Sequence, residues 1–321
     1  MNRRLHLLRI FLLSAALAIH AAASAISCAA TIDVYIAAGQ SNMDGRGLVA
    51  ELNGELEVWN AAQPSVLIHY TRPADTSTVG IPQLQSDWAP LAPGFSAGPG
   101  SGDALPGLHF GPELTFGHAM AEHFRDRHIA ILKIARGGTS MADHWNFEPG
   151  SVGDMAAAFR QTIPSALQSL RDRGDEVRIR GMIWHQGESD TTSTPEEFGA
   201  ALTNLITQFR SELGANDLPF VIGELSQSMR LYNRLRATQL AVSESMSQVG
   251  FASSTDLLPG PNDLIHFSTS SQLELGFRYA AAMQTLLVPE PHAALLVASC
   301  SLACAPRRRR FSCPRRNPRR R

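Results

Sequence analysis

Two short stretches far apart in the chain carry side chains that could do hydrolytic chemistry together. One is Gly39-Gln40-Ser41-Asn42-Met43, and the other is Asp263-Leu264-Ile265-His266. A serine hydroxyl is a weak nucleophile until a base takes its proton. A loop Asp and His three residues apart can fold so that the carboxylate accepts the imidazole Nδ1–H, leaving Nε2 free to take that proton. Each stretch also has an ordinary reading. Gly, Ser and Asn are turn formers, and an Asp-x-x-His alone is a weak signal. Met43 stands where a G-x-S-x-G nucleophile elbow has its second Gly.

The surrounding elements strengthen the pairing. Asp33 to Ala38 is a short apolar run that reads as a buried strand leading straight into Gly39. Further strand-like runs are Ser65 to Tyr70, His128 to Ile134, Arg178 to Trp184, Phe220 to Gly223 and Val249 to Ser253. Helical spacing of apolar residues marks Glu113 to Arg125, Asp154 to Arg173, Pro195 to Leu213, Arg230 to Gln248 and Ser270 to Leu287. Strands alternating with helices predict an α/β fold with a mostly parallel sheet covered on both faces. Such sheets bind ligands outside the carboxyl ends of their strands, where Ser41 falls. The segment from Thr71 to Gly111, rich in Pro, Gly and Ser, is too long for an ordinary connection and reads as a functional loop over that rim.

Two more polar stretches follow strands. Arg136-Gly137-Gly138-Thr139-Ser140 reads as a tight turn, or as backbone N–H groups that can approach a ligand closely. In His185-Gln186-Gly187-Glu188-Ser189-Asp190, the Gln186 amide could donate to an oxyanion. His185 reads as a core histidine, and Glu188 reads equally as a site carboxylate or a structural hydrogen bonder. The four histidines between His109 and His128 lack metal-ligand spacing, and neither a phosphate loop nor a G-x-G-x-x-G is present, so chemistry without a cofactor is expected.

The ends differ from the body. Arg3, Arg4 and Arg9 precede an apolar run from Ile10 to Ile19 and then small residues, which reads as a signal peptide over residues 1–30. Cleavage fits after Ala25 or Ala30, with Ile26-Ser27-Cys28 as a lipoprotein-like alternative. Residues 289–321 run from Pro289-Glu290-Pro291 through an apolar stretch to a tail of nine arginines. That order resembles a bacterial PEP-CTERM sorting signal, and a simple membrane tail is the alternative. Both ends predict export to the periplasm, cell envelope or extracellular matrix, with export and sorting machinery as partners. Between them, residues 31–288 hold 16 of the 28 basic and 28 of the 29 acidic residues, a charge near −12. So acidic a body argues against nucleic acid as a partner. All four cysteines lie at the ends, so the body can use neither a disulfide nor a catalytic cysteine.

Taken together, Gly39 to Met43, Gly137-Gly138-Thr139, Trp184 to Ser189 and Asp263 to His266 resemble the SGNH hydrolase superfamily. Within it they resemble the sialate O-acetylesterase-like branch that includes carbohydrate esterase family 6. The resemblance spans 31–288 and implies a three-layer α/β/α sandwich with a flavodoxin-like sheet. It implies removal of acetyl groups from sugars or xylan, with Ser41 as nucleophile, His266 as base and Asp263 as orienting acid. It also implies oxyanion donors from the Ser41 N–H, a Gly137 or Gly138 N–H and the Gln186 side chain, with Gln40, Asn42 and Glu188 in support. Phe267 stands where the superfamily often has Pro. A lipase-like esterase and a non-catalytic polysaccharide-binding surface protein are the competing readings.

Overall fold

The computed structural model describes residues 30–75, 83–99, 105–150, 152–261 and 263–288. The segments read as a signal peptide and a sorting signal therefore lie outside the described residues. In chain order the elements are β1 (Thr31–Gly39), α1 (Ser41–Asp44), β2 (Gly47–Leu48), β3 (Gln63–Arg72), β4 (Leu84–Gln85), β5 (Ala89–Leu91) and β6 (His109–Phe110). There follow α2 (Glu113–His123), β7 (His128–Ala135), α3 (Asp154–Arg171), β8 (Glu176–His185), α4 (Pro195–Glu212), β9 (Phe220–Gly223), α5 (Asn233–Ser245), β10 (Val249–Ala252) and α6 (Thr269–Leu287). Among the described residues, no helix is long and apolar enough to cross a membrane.

The main sheet has the order β10-β9-β8-β1-β7-β3-β4, with β5 also on β3. The pairs from β10 across to β3 are parallel, and only β4 and β5 run antiparallel. β1 is central and covered on both faces, which is why it is apolar without alternation. Ile32, Val34, Ile36 and Ala38 face a core shared with Phe159 and Ile163 of α3, Leu205 and Phe209 of α4, and Leu235 and Val242 of α5. Tyr35 points the other way and meets Phe116 of α2 edge-on at 5.5 Å. On that second face, α6 comes so close that a Cβ on Gly181 would lie 2.5 Å from the Met283 sulfur. The chain thus forms the three-layer α/β/α arrangement, with α3, α4 and α5 on one face and α2 and α6 on the other.

Register decides which loops meet. Gly39 stands opposite Ala135 of β7 on one side and His185 of β8 on the other. Three neighbouring strands therefore end together and release residues 40–44, 136–140 and 186–190 at one rim. The turn after β1 needs glycine. Gly39 has φ +150°, and a Cβ there would lie 2.1 Å from the His185 carbonyl oxygen, the atom that accepts the Gln40 N–H at 2.9 Å. The Thr71–Gly111 segment contributes β4, β5 and β6, and Arg72 and Gly98 from it reach the same rim.

Candidate active site

Ser41 opens the one-turn helix α1, and that turn is anchored from below. Asp44 accepts from the Tyr70 hydroxyl at 2.6 Å and from Arg46 at 2.8 Å. The Lys133 ammonium, fully buried on β7, donates to the Asp44 carbonyl at 2.6 Å and to the Phe95 carbonyl at 2.7 Å. Lys133 also pairs with buried Glu113 at 2.9 Å. Burial pushes the Glu113 carboxyl above its ordinary range, and the ammonium opposes that.

The expected serine, histidine and aspartate meet in one hydrogen-bonded line. Ser41 Oγ lies 2.8 Å from His266 Nε2, and His266 Nδ1 lies 2.6 Å from Asp263 Oδ2. The other Asp263 oxygen accepts the backbone N–H groups of Ile265 at 2.8 Å and His266 at 3.0 Å. Burial raises the Asp263 carboxyl, but those two N–H groups and the imidazole outweigh it and hold it below its ordinary value. With Nδ1–H committed to the carboxylate, Nε2 presents a lone pair to the serine.

The loop after β7 closes on Ser41. Gly137 comes so close that a Cβ there would stand 3.3 Å from Ser41 Cβ and 3.0 Å from an Arg46 Nη2 atom. Gly138, with φ +76°, lines the same cavity as Ser41. The expectation for Gln186 is corrected. Its amide nitrogen donates to the Thr139 carbonyl at 2.8 Å and to Asp190, so both its hydrogens are spent beneath the loop. Gln186 is fully buried and absent from the cavity wall, so it braces the Gly137–Thr139 turn instead of reaching the serine. The Asp190 carboxylate, four residues on, captures the amide.

The supporting residues sort themselves by contact. Gln40 lines the cavity, with its oxygen 3.5 Å from the Gly187 N–H. Asn42 bonds Ile265, Phe267 and Glu188. The Phe267 N–H that reaches Asn42 is a donor that proline lacks. Glu188 is buried against Asn42 and lines the cavity, and burial pushes its carboxyl up to about 7. His185 is a core histidine held by the Tyr279 hydroxyl at 3.0 Å, and burial pulls it down to about 3.

The cavity, about 400 Å³, is also walled by Arg46, Arg72, Arg136 and Tyr232, none of which sequence reasoning placed there. Arg136 precedes Gly137 directly, and Arg46 follows Ser41 by five residues, so adjacency to the motifs was the available signal. Nothing local marks Arg72 or Tyr232.

The class of protein follows from the family, and it is that of the carbohydrate esterases. Residues 31–285 match the family described as "Carbohydrate esterase, sialic acid-specific acetylesterase", and the chain belongs to that family. Two similar solved structures share the fold. A protein from Arabidopsis thaliana is 21% identical with a TM-score of 0.58, over 79% of this chain and 98% of its own. A carbohydrate acetylesterase from Xanthomonas citri is 20% identical with a TM-score of 0.53, over 79% of this chain and 56% of its own. No curated protein matches the chain.

Proposed function

We propose that the protein is an exported serine esterase of the SGNH type that removes O-acetyl groups from carbohydrate. The observation that carries this reading is the unbroken line Ser41–His266–Asp263 opening on a cavity next to Gly137 and Gly138. His266 takes the Ser41 proton as Oγ attacks the acetyl carbonyl. The tetrahedral oxyanion is held by the N–H groups of Ser41 and of Gly137 or Gly138. Collapse releases the sugar hydroxyl, protonated by His266, and leaves an acetyl-Ser41. Water, activated by the same imidazole, then frees acetate.

The cavity wall is charged, with Arg46 paired to Asp44 at 2.8 Å, Arg136 paired to Asp154 at 2.7 Å and Arg72 beside them, and the family's description favours a sialate over neutral acetylxylan as the sugar. The same charged wall counts against the lipase-like alternative. Export rests on the two terminal segments.

A covalent serine-esterase probe should label the wild type and spare Ser41→Ala. Acetate release should be faster from O-acetylated sialic acids than from acetylxylan, and faster from acetyl than from longer acyl p-nitrophenyl esters. Labelling of Ser41→Ala at the wild-type rate would overturn the mechanism. A preference for xylan would overturn the substrate reading, and a preference for long acyl chains would favour the lipase-like one. Recovery of the protein from the cytoplasm alone would refute export.

A further inference from the structure

We propose that Glu188 is a positioning residue of this site, a proton-bearing carboxyl that lies between His185 and Asn42 and, through its bond to Asn42, holds the His266 loop against Ser41. The proposal rests on the serine-esterase reading for its kinetic consequence, but its structural basis is independent of it.

The first observation is how Asn42 is used. Its Nδ2 donates to Glu188 Oε1 at 2.7 Å and to the Ile265 carbonyl at 3.1 Å. Its Oδ1 accepts the Phe267 N–H at 3.1 Å and Gln272 Nε2 at 3.5 Å. All four hydrogen-bonding positions of the amide are filled. Ile265 and Phe267 flank His266, so the residue next to the nucleophile grips the base from both sides. A flipped amide would set NH₂ against N–H and oxygen against oxygen. Glu188 supplies the acceptor that keeps the second Asn42 hydrogen satisfied.

The second observation is the state of His185. The Tyr279 hydroxyl donates its one hydrogen to the Trp184 carbonyl at 3.0 Å. It can then only accept from His185, 3.0 Å away, which places the ring proton on Nδ1. His185 Nε2 is therefore a bare lone pair, buried and without a hydrogen-bond partner among the described residues. The group that faces it is Glu188 Oε1, at 3.6 Å. Two lone-pair atoms face one another unless a proton lies between them, and the carboxyl is the group that can carry one.

The surroundings agree. The ionisable groups around Glu188 are His185, Asp190 beyond β8, Arg46 beyond α1, Tyr232 and Tyr279 of α6. Arg46 is the cation among them, and its Nη1 is committed to Asp44. The Glu188 side chain is buried, and its Oε2 has no partner among the described residues. A buried carboxyl without a cation of its own keeps its proton. Ionised, it would repel the His185 lone pair and set a negative charge on the wall of the cavity where the oxyanion forms.

The experiment compares wild type, Glu188→Gln and Glu188→Ala in the pH profile of kcat/KM for a small acetate ester. It also follows the infrared carbonyl band of protonated carboxyls in wild type minus Glu188→Gln. Wild type should lose activity on the alkaline side, on the order of tenfold. Glu188→Gln, which keeps an oxygen for Asn42 but carries no titrating proton, should lack that limb and exceed Glu188→Ala at least tenfold. The difference band should be present at mildly acidic pH and vanish on alkalinisation. An identical alkaline limb in Glu188→Gln, equal activity of the Gln and Ala variants, or absence of the band would overturn the proposal. Wild type inactive on every ester would instead sink the proposed function, while the infrared result would still decide the state of Glu188.

Discussion

Replacing Asp263 by Asn should nearly abolish turnover while leaving the fold intact, and the size of the loss follows from the hydrogen bonds at that side chain. Asp263 Oδ1 accepts two backbone N–H groups, and Oδ2 faces His266 Nδ1 at 2.6 Å. In the variant, the amide oxygen must stay with the two N–H donors, so its NH₂ takes the Oδ2 position. That NH₂ needs a bare Nδ1, which drives the ring proton to Nε2. There it points at Ser41 Oγ, 2.8 Å away, and the base is lost. Imposing the wrong tautomer in a serine–histidine–aspartate site costs on the order of 10⁴ in kcat, about 5.5 kcal/mol of barrier. Glu188 offers no rescue, because its Oε1 is committed to Asn42 at 2.7 Å and next faces His185. Asp263 is partly exposed, so folding stability should fall by less than about 1 kcal/mol. Asp263→Ala removes the orientation without imposing a tautomer and should lose less than Asn. Steady-state hydrolysis of p-nitrophenyl acetate with thermal melting of each variant is the assay. A kcat for Asp263→Asn within tenfold of wild type, or a larger loss in Ala than in Asn, would refute the reasoning.

Three further outcomes are expected. Gly137→Ala places a methyl 3.3 Å from Ser41 Cβ and should cost on the order of 10² in kcat with an unchanged melting temperature; normal turnover would show that the turn yields. Lys133→Met strands the buried Glu113 carboxyl and should cost about 3–5 kcal/mol in denaturant unfolding, partly restored by adding Glu113→Leu; no restoration would mean that Lys133 stabilises through the Asp44 and Phe95 carbonyls instead. His185 is held down to about 3, so the unfolded chain takes up a proton that the native state refuses as pH falls below ~6.5. Stability should therefore drop between ~6.5 and 3, by up to about 5 kcal/mol from this group, and the drop should be shallower in His185→Asn. Equal slopes for the two proteins in acid unfolding series would refute that origin.

What the sequence by itself determined is what short-range physics can carry. The runs at 33–38, 128–134 and 178–184 read as strands, and each leads into a polar turn, so one rim with three loops was legible. Gly39 was legible as a turn, and Asp263 and His266 as a local pair, because three residues of loop suffice to join them. The sequence alone could also suggest the family, since four spaced motifs survive without any knowledge of contacts. What only the tertiary structure decided are the partners brought in from far along the chain. The Gln186 amide went to Thr139 and Asp190 because β7 and β8 end on either side of β1 and trap it under the loop. The tautomer of His185 depends on Tyr279, 94 residues away on α6. Arg72 and Tyr232 reached the cavity through strand register and helix docking, which leave no local mark. A side chain's choice among competing hydrogen-bond partners, and the proton it carries when buried, is set by whatever the whole fold places within 3 Å or so. That information is long-range, and no window of sequence contains it.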